Sequence, residues 1–476
     1  MELPRQIIDI LNQRAQLYEV GGAVRDRIRY GLDPNTGRLD PSRFWSYTPE
    51  ETDYLVTGLP MEELISVLSQ YGRTELVGKS FGVVKFRVEI QESRVRLIDL
   101  SLPRRERSTG FGHRDFEIEY DPELPIEQDL KRRDFTINAM ARPLYAHEKL
   151  FDIIDPWGGL EDIKQRLVRM VSPQAFVEDP LRMLRACQFA ARLEYALEEE
   201  TFRSIKENAG LIETVSPERI QMELNKMLLK AERPSIGLWL MHRGGLLKRI
   251  FPELAEGVGC AQPGGYHRYG VFEHSIKTVD FIPRHHPGCL ALRLAALLHD
   301  VAKPRCRDLT GGLATFYGHE RLGEVMAREI LERLKYPRSL IDRVCLLVRR
   351  HMFAIPETPK GLRRLVAKAG MDGIYQLIAL RRADIQAQGR SEEESDPALE
   401  HFEQAVTEEM RRSPPFSLKD LMVNGYDLMK EFGLPPGPEI GRLLEHLLEY
   451  VLDDPARNQR EILLDEAARL LSRTSP

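Results

Sequence analysis

The 476-residue chain is poor in cysteine and has no thiolate pattern. Its five cysteines, Cys187, Cys260, Cys289, Cys306 and Cys345, include no C-x-x-C pair. That argues for reduced thiols and against a disulfide framework or a thiolate zinc site. Long hydrophobic runs are missing too. The longest, residues 290–298, is interrupted by Arg293 and falls far short of the ~20 apolar residues that span a bilayer. MELPRQIIDILNQRAQ at the N-terminus carries charges through its apolar stretch, so no signal-peptide core is present. A cytoplasmic protein without membrane contact is expected. There is no basic excess, since 68 Lys and Arg face 73 Asp and Glu for a net charge of -5. Any nucleic-acid contact must therefore be a local patch. With 42% hydrophobic residues, 34 Gly and 30 Pro, the chain is neither disordered nor collagen-like nor of low complexity. Its length suggests about three domains.

The first 145 residues read as α/β. YEVGGAVRD is a strand entering a glycine turn and then a helix, and TDYLVTG is a second strand before the amphipathic MEELISVLSQYG. FGVVKFRV and VRLIDLSL read as two strands joined by a hairpin. From about residue 160 apolar residues recur at three- and four-residue spacing, as in PLRMLRACQFAARL, ERIQMELNKMLL and LALRLAALLHDVAK. Linkers are expected at 257–270 and 389–398. The predicted fold class is α+β, a small mixed-sheet head on an otherwise helical body. Its expected parts are a head (1–145), a neck (146–256), a further helical domain (257–395) and a helical tail (396–476).

Chemistry concentrates in few places. Gly21-Gly22 stands between a strand and a helix, with Arg25 and Asp26 in the first turns. Adjacent glycines and a helix N-terminus suit a phosphate, but most such turns are plain turn chemistry. Glu51 and Asp53 lie two apart at the head of a strand, hence on one face, where they could share divalent cations. Asp99 in VRLIDLSL could complete that cluster from a neighbouring strand or serve only as a cap. Gly78-Lys79-Ser80 resembles the end of a P-loop, but Arg73 stands where the first glycine is required and a strand follows.

Taken in order, these motifs resemble the class II tRNA nucleotidyltransferases, the CCA-adding enzymes and bacterial poly(A) polymerases. GGAVRD and DYLVT are followed by Arg132-Arg133-Asp134-Phe135-Thr136-Ile137-Asn138-Ala139, by DPWGGLED from Asp155, and by Glu178-Asp179-Pro180-Leu181-Arg182-Met183-Leu184-Arg185. The resemblance implies magnesium on Glu51 and Asp53; Asp99 stays the candidate third catalytic carboxylate on its strand position alone. It implies nucleotide contacts from Gly21, Gly22, Arg25, Asp26, Arg132, Arg133, Asn138, Asp179, Arg182 and Arg185. For Arg132 a structural salt bridge is an equal reading. Asp179 and Arg182, three apart, are expected as neighbours on one helix face. There a carboxylate would accept from the amine of C or A while a guanidinium donates to the adjacent ring nitrogen.

Three departures stand out. Glu51 replaces the family's first Asp, Gln188 stands where many members carry another Arg, and residues 29–50 form an insertion expected to be an ordered surface loop. Residues 103–130 align with the family's mobile loop and look full length, which favours CCA or A addition. Arg104, Arg105, Arg107 and Arg114 within them form a local basic patch suited to RNA phosphates, although a solvated charged face is the default.

A second constellation is helical. His274, His299-Asp300 and Asp384 follow the H…HD…D order of the HD phosphohydrolase superfamily, with His319 and His351 where two-metal members place further ligands. This resemblance implies a transition metal or magnesium and phosphoesterase chemistry. The leading expectation is addition of C and A from CTP and ATP to the tRNA 3′ end. An A-adding enzyme or poly(A) polymerase is the near alternative, and a metal phosphohydrolase with a noncatalytic RNA-binding head the distant one. Nothing in the sequence sets an oligomeric state.

Overall fold

A computed structural model describes residues 3–34, 36–77, 82–90, 94–108, 116–144, 152–262, 268–309, 314–389, 396–412 and 415–474. Gly78-Lys79-Ser80 and Arg114 lie outside the described residues, as do the side chains of Arg105 and Arg107. The chain divides into two compact units, Met1–Pro252 and Glu253–Pro476.

The first unit is built on strands β1 (Gln16–Val20), β2 (Asp53–Thr57), β3 (Arg73–Val77), β4 (Val83–Ile90), β5 (Arg94–Ser101), β6 (Arg104–Ser108), β7 (Phe116–Tyr120) and β8 (Ala141–Pro143). Six of them form one sheet in the order β3-β4-β5-β2-β1-β8. β1 runs antiparallel to β2 and β8, and β2 runs parallel to β5. β4 and β5 are the antiparallel pair expected from FGVVKFRV and VRLIDLSL. β6 and β7 make a separate two-stranded ribbon.

Alternation along each strand puts successive side chains on opposite faces. Leu17, Tyr54 and Val56 join a cluster with Leu11, Leu64, Leu68, Phe86 and Ile98. Tyr18, Val20 and Leu55 join Ile126, Leu130, Ala139 and Ala141 on the other face. Each fully buried side chain of this kind stabilises by about 1.5–3 kcal/mol, so a one-residue slip of β1 or β2 would invert both faces at once. The rest of the unit is mainly helical, including Leu181–Leu193, Pro217–Lys230 and Pro234–Arg243.

The second unit is helical. Val271–Asp280, Cys289–Leu298, His319–Arg333, Arg338–Arg350 and Met371–Ala387 come first, and Pro397–Arg411, Gly425–Phe432, Pro438–Asp453 and Arg460–Thr474 follow. Arg293, the charge inside the apolar run, is fully buried and donates twice to the Ile282 carbonyl, at 2.9 and 2.7 Å. The helix tolerates it there because those donors are satisfied. All five cysteines are free, and burial pushes the Cys187 thiol up to about 12. No described helix is long and apolar enough to cross a membrane.

The insertion departs from expectation. It is no simple surface loop: Pro41–Ser46 is a short helix capped by Asp40, and its Phe44 is fully buried.

Candidate functional sites

The strand pairing settles where Asp99 lies. β2 and β5 place Asp53 directly beside Asp99, while β1 and β2 place Val20 against Asp53. Glu51 precedes the strand by two residues, and both Glu51 and Asp53 are open to solvent. Partial desolvation, then the Asp99 and Glu51 carboxylates, raise the Asp53 carboxyl above its ordinary value, while Arg133 pulls it down. Like charges disfavour one another's ionised forms. Among the described residues these three carboxylates are not one of the groups whose ligand atoms converge within 4.8 Å.

Gly21, at φ +71°, ends β1 and begins the helix Gly22–Gly31. A Cβ there would lie 2.9 Å from Arg133 Nη1, the mobile end of a long side chain, so it is the positive φ that favours glycine. Arg133 and Arg132 both pair with the buried Asp129, at 3.2 and 2.6 Å. Asp129 is not among the expected site residues, although its spacing of three and four from the two arginines is a helical ion-pair signal. Burial opposes its charge, and the two arginines hold its carboxyl below the ordinary value.

Arg25 points inward. Its guanidinium donates to Asp26 at 2.9 and 2.8 Å and to Asn138 Oδ1 at 2.6 Å, over the Phe189 ring. Asn138 Nδ2 donates to Asp134 Oδ1, and Arg185 donates to Asp134 Oδ2 at 2.9 and 2.6 Å and to Glu223 at 3.2 Å. Burial opposes charge on Asp134, but Arg185 holds its carboxyl below the usual range. The glycine turn, the R-R-D motif and the helix bearing Arg185 are thus one connected network. Gln188 is buried, and its Nε2 has no hydrogen-bond partner among the described residues.

One expectation fails. Asp179 and Arg182 do not share a helix face. Asp179 ends the short helix Ala175–Glu178 with extended backbone, and Arg182 lies in the first turn of Leu181–Leu193. Pro180 explains the break, because a residue before proline is driven out of the helical region. Asp179 accepts from Arg219 at 3.0 and 3.2 Å, and Arg182 donates to the Arg132 carbonyl at 2.7 Å. Arg219 carries no sequence signal, since it reaches Asp179 only through the packing of Pro217–Lys230. Arg104 begins β6 and pairs in register with Tyr120.

In the second unit all six expected ligands are buried side chains. Their atoms form two groups within 4.8 Å, His274, His299 and Asp300, and Asp300, His319 and His351. Asp300 Oδ2 lies 3.2 Å from His299 Nε2 and 3.8 Å from His274 Nε2; Oδ1 lies 3.5 Å from His319 Nε2 and 3.8 Å from His351 Nε2. His274 Nε2 is 2.9 Å from Asp384 Oδ1, and Lys303 Nζ is 2.7 Å from Asp300 Oδ2.

The tautomers follow from the backbone. Nδ1 of His299, His319 and His351 each sits 2.7–2.8 Å from the carbonyl three residues back. A carbonyl only accepts, so these Nδ1 atoms carry hydrogen and the Nε2 lone pairs face inward. His319 and His351 Nε2 are 3.2 Å apart and buried, two acceptors opposed at close range. A cation between them relieves that opposition, so the donor set fits a metal. Burial pushes His351 down to about 3 and also lowers His319. For His299 burial works against the charge, but Asp300 overrides it and raises the value.

Comparison with known proteins places the chain. Residues 17–169 match the poly(A) polymerase head domain, 194–257 the probable RNA- and SrmB-binding site of polymerase A, and 313–467 a putative second domain of tRNA nucleotidyltransferase. The A-adding tRNA nucleotidyltransferase of Deinococcus radiodurans is 36% identical over 350 residues, 70% of this chain and 77% of that one. The CC-adding tRNA nucleotidyltransferase of Thermus thermophilus is 35% identical, over 68% of this chain and 73% of that one. The multifunctional CCA protein of Methylobacillus flagellatus is 34% identical, over 71% and 74%. In fold, the chain is similar to the Bacillus stearothermophilus CCA-adding enzyme solved with CTP, with a TM-score of 0.69 at 23% identity, covering 98% and 97% of the two chains. The chain belongs to the tRNA nucleotidyltransferase family, and by that membership it is a transferase.

Proposed function

We propose that the protein adds C and A nucleotides from CTP and ATP to the 3′ end of tRNA without a nucleic-acid template, in the cytoplasm. The observation that carries this reading is the side-by-side register of Asp53 and Asp99, with Glu51 on the approach to β2. An all-oxygen donor set suits magnesium. Glu51 and Asp53 would hold it, and when bound it supplies charge stabilisation at the attacking and leaving oxygens.

The RNA 3′ hydroxyl attacks the α-phosphorus, the new P–O bond forms, and the α–β bridging bond breaks to release pyrophosphate. Arg133, above the Gly21 turn, meets the triphosphate together with the first amides of Gly22–Gly31. Arg25, Asn138, Asp134 and Arg185 hold that turn in place through their network, with Asp26 keeping Arg25 oriented. For base choice, Asp179 exchanges Arg219 for the amine of C or A, and Arg182 donates to the ring nitrogen. Arg104 and the β6–β7 ribbon face RNA phosphates.

The test is extension of tRNA transcripts ending before C-C-A, after C, and after C-C, followed by sequencing of the products. C-C-A on the first substrate is the expected result. The names of the similar proteins divide among A-adding, CC-adding and CCA, so A addition confined to tRNA ending in C-C would replace this reading by the A-adding one. Long A tails on unrelated RNA would replace it by a poly(A) polymerase.

The opposed Nε2 atoms of His319 and His351 favour a second activity. His274, His299, Asp300, His319, His351 and Asp384 would hold a divalent transition metal or magnesium, which when bound lowers the pKa of a water for phosphoester hydrolysis. Hydrolysis of bis(p-nitrophenyl) phosphate after metal loading, absent in Asp300→Ala, tests it.

A further inference from the structure

Two guanidiniums share one carboxylate inside the head. Glu19 and Arg27 are each 1% exposed. Arg27 Nε donates to Glu19 Oε1 at 3.1 Å, and Arg142 Nε donates to Glu19 Oε2 at 2.7 Å. The group carries one more positive charge than negative, and a buried surplus charge is costly unless other acceptors reach it. The insertion provides them. The Tyr47 carbonyl accepts from Arg27 Nη1, and the Trp45 ring lies 4.9 Å from the Arg142 guanidinium.

The insertion is anchored at its other end as well. Leu32 and Leu39 form an antiparallel bridge, the Gly31 carbonyl accepts from Asp40 at 2.8 Å, and Phe44 is fully buried. A Cβ on Gly31 would come within 2.8 Å of Leu39 and 2.9 Å of Phe44, so the contact is close. Tyr47 is thus held from both sides, and it stands four residues before Glu51. Asp53 needs no such help, because its register with Val20 and Asp99 fixes it. Glu51 lies outside the strand and gains no ladder bond from it.

We infer that the insertion is a strap that positions Glu51 beside Asp53, with Arg27 as its fastening residue. This rests on the reading of Glu51 and Asp53 as the metal-holding pair. Arg27→Met removes the donor to Tyr47 but leaves Glu19 neutralised by Arg142, so the fold has no orphaned charge. Trp45→Ala, at a partly exposed position, loosens the same strap from its other contact.

The test follows nucleotide addition across a magnesium titration, and hydrogen exchange of the amides of Thr48, Glu50, Glu51 and Thr52 without nucleotide. Arg27→Met should raise the magnesium needed for half-maximal rate by roughly tenfold, the scale for groups that orient metal ligands. It should also speed exchange at those four amides while leaving β1 and β8 protected. Trp45→Ala should shift both readouts the same way by less. In a Glu51→Gln background Arg27→Met should add no further magnesium shift, because both act through one side chain. An unchanged magnesium requirement in both strap variants, or an additive shift in the Glu51→Gln background, overturns the inference. A wild-type protein without any magnesium-dependent addition overturns the transferase reading instead.

Discussion

The two clusters of candidate metal ligands are built on opposite plans. In the first unit, Asp53 at the head of β2 lies beside Asp99 within the parallel β5, and no hydrogen bond among the described residues locks their carboxylates. In the second unit, imidazoles converge from four helices or their ends onto one buried aspartate, with three rings oriented by the carbonyls three residues back. An open all-oxygen set suits a cation that arrives with a phosphate-bearing substrate and leaves with the product. A buried nitrogen-rich set with oriented rings suits a resident metal of higher affinity. Ligand type and burial together set how permanent a metal site is.

The sharpest break between the two comes from single substitutions. Asp53→Ala should lower nucleotide addition on the order of a thousandfold, the loss of several kcal/mol of charge stabilisation, and leave phosphoester hydrolysis unchanged. Asp300→Ala should do the reverse. Rate measurements of both activities on both variants check it, and a variant that removes both activities would end the comparison.

Metal retention comes next. After extended dialysis against buffer without metal, elemental analysis should find a transition metal still bound to wild type and less in His351→Ala. Addition activity should return only when magnesium is supplied. Metal content that is the same in wild type and His351→Ala would place the resident metal elsewhere.

A smaller effect separates base choice from catalysis. Asp179→Ala should shrink discrimination against UTP and GTP by roughly 10- to 150-fold, the worth of a hydrogen bond to a charged group at about 1.5–3 kcal/mol. Arg219→Met, which frees Asp179 from its present partner, should change selectivity without abolishing addition. Kinetics with all four triphosphates decide it. An equal fall for every nucleotide would make Asp179 structural.

The smallest effect is acid stability. The Asp134 carboxyl is held below its ordinary value in the fold by Arg185. Its contribution is therefore complete above the unfolded value, about 3.9, and is lost as pH falls through the lowered folded value. Urea midpoints of wild type and Asp134→Asn should differ clearly at pH 7 and converge toward pH 3. A gap that persists at low pH would mean that the asparagine is disfavoured by packing, not by lost charge.

Features that depend on neighbours in the chain are legible in the residues themselves. The strand–Gly21–helix turn, the β4–β5 hairpin and the amphipathic helices follow from periods of two and 3.6 and from glycine's access to positive φ. The histidine cluster is legible as a pattern, and the inward Nε2 atoms of His299, His319 and His351 follow from a bond only three residues long. What packing alone decided is long in sequence. Parallel pairing brought Asp99 to Asp53, Pro217–Lys230 brought Arg219 to Asp179, and Glu19 drew in Arg27 and, across 123 residues, Arg142. His274 meets Asp384 across 110 residues. Local backbone geometry is dictated by adjacent side chains, whereas partners this far apart are chosen by which faces bury together, and no local period encodes that choice.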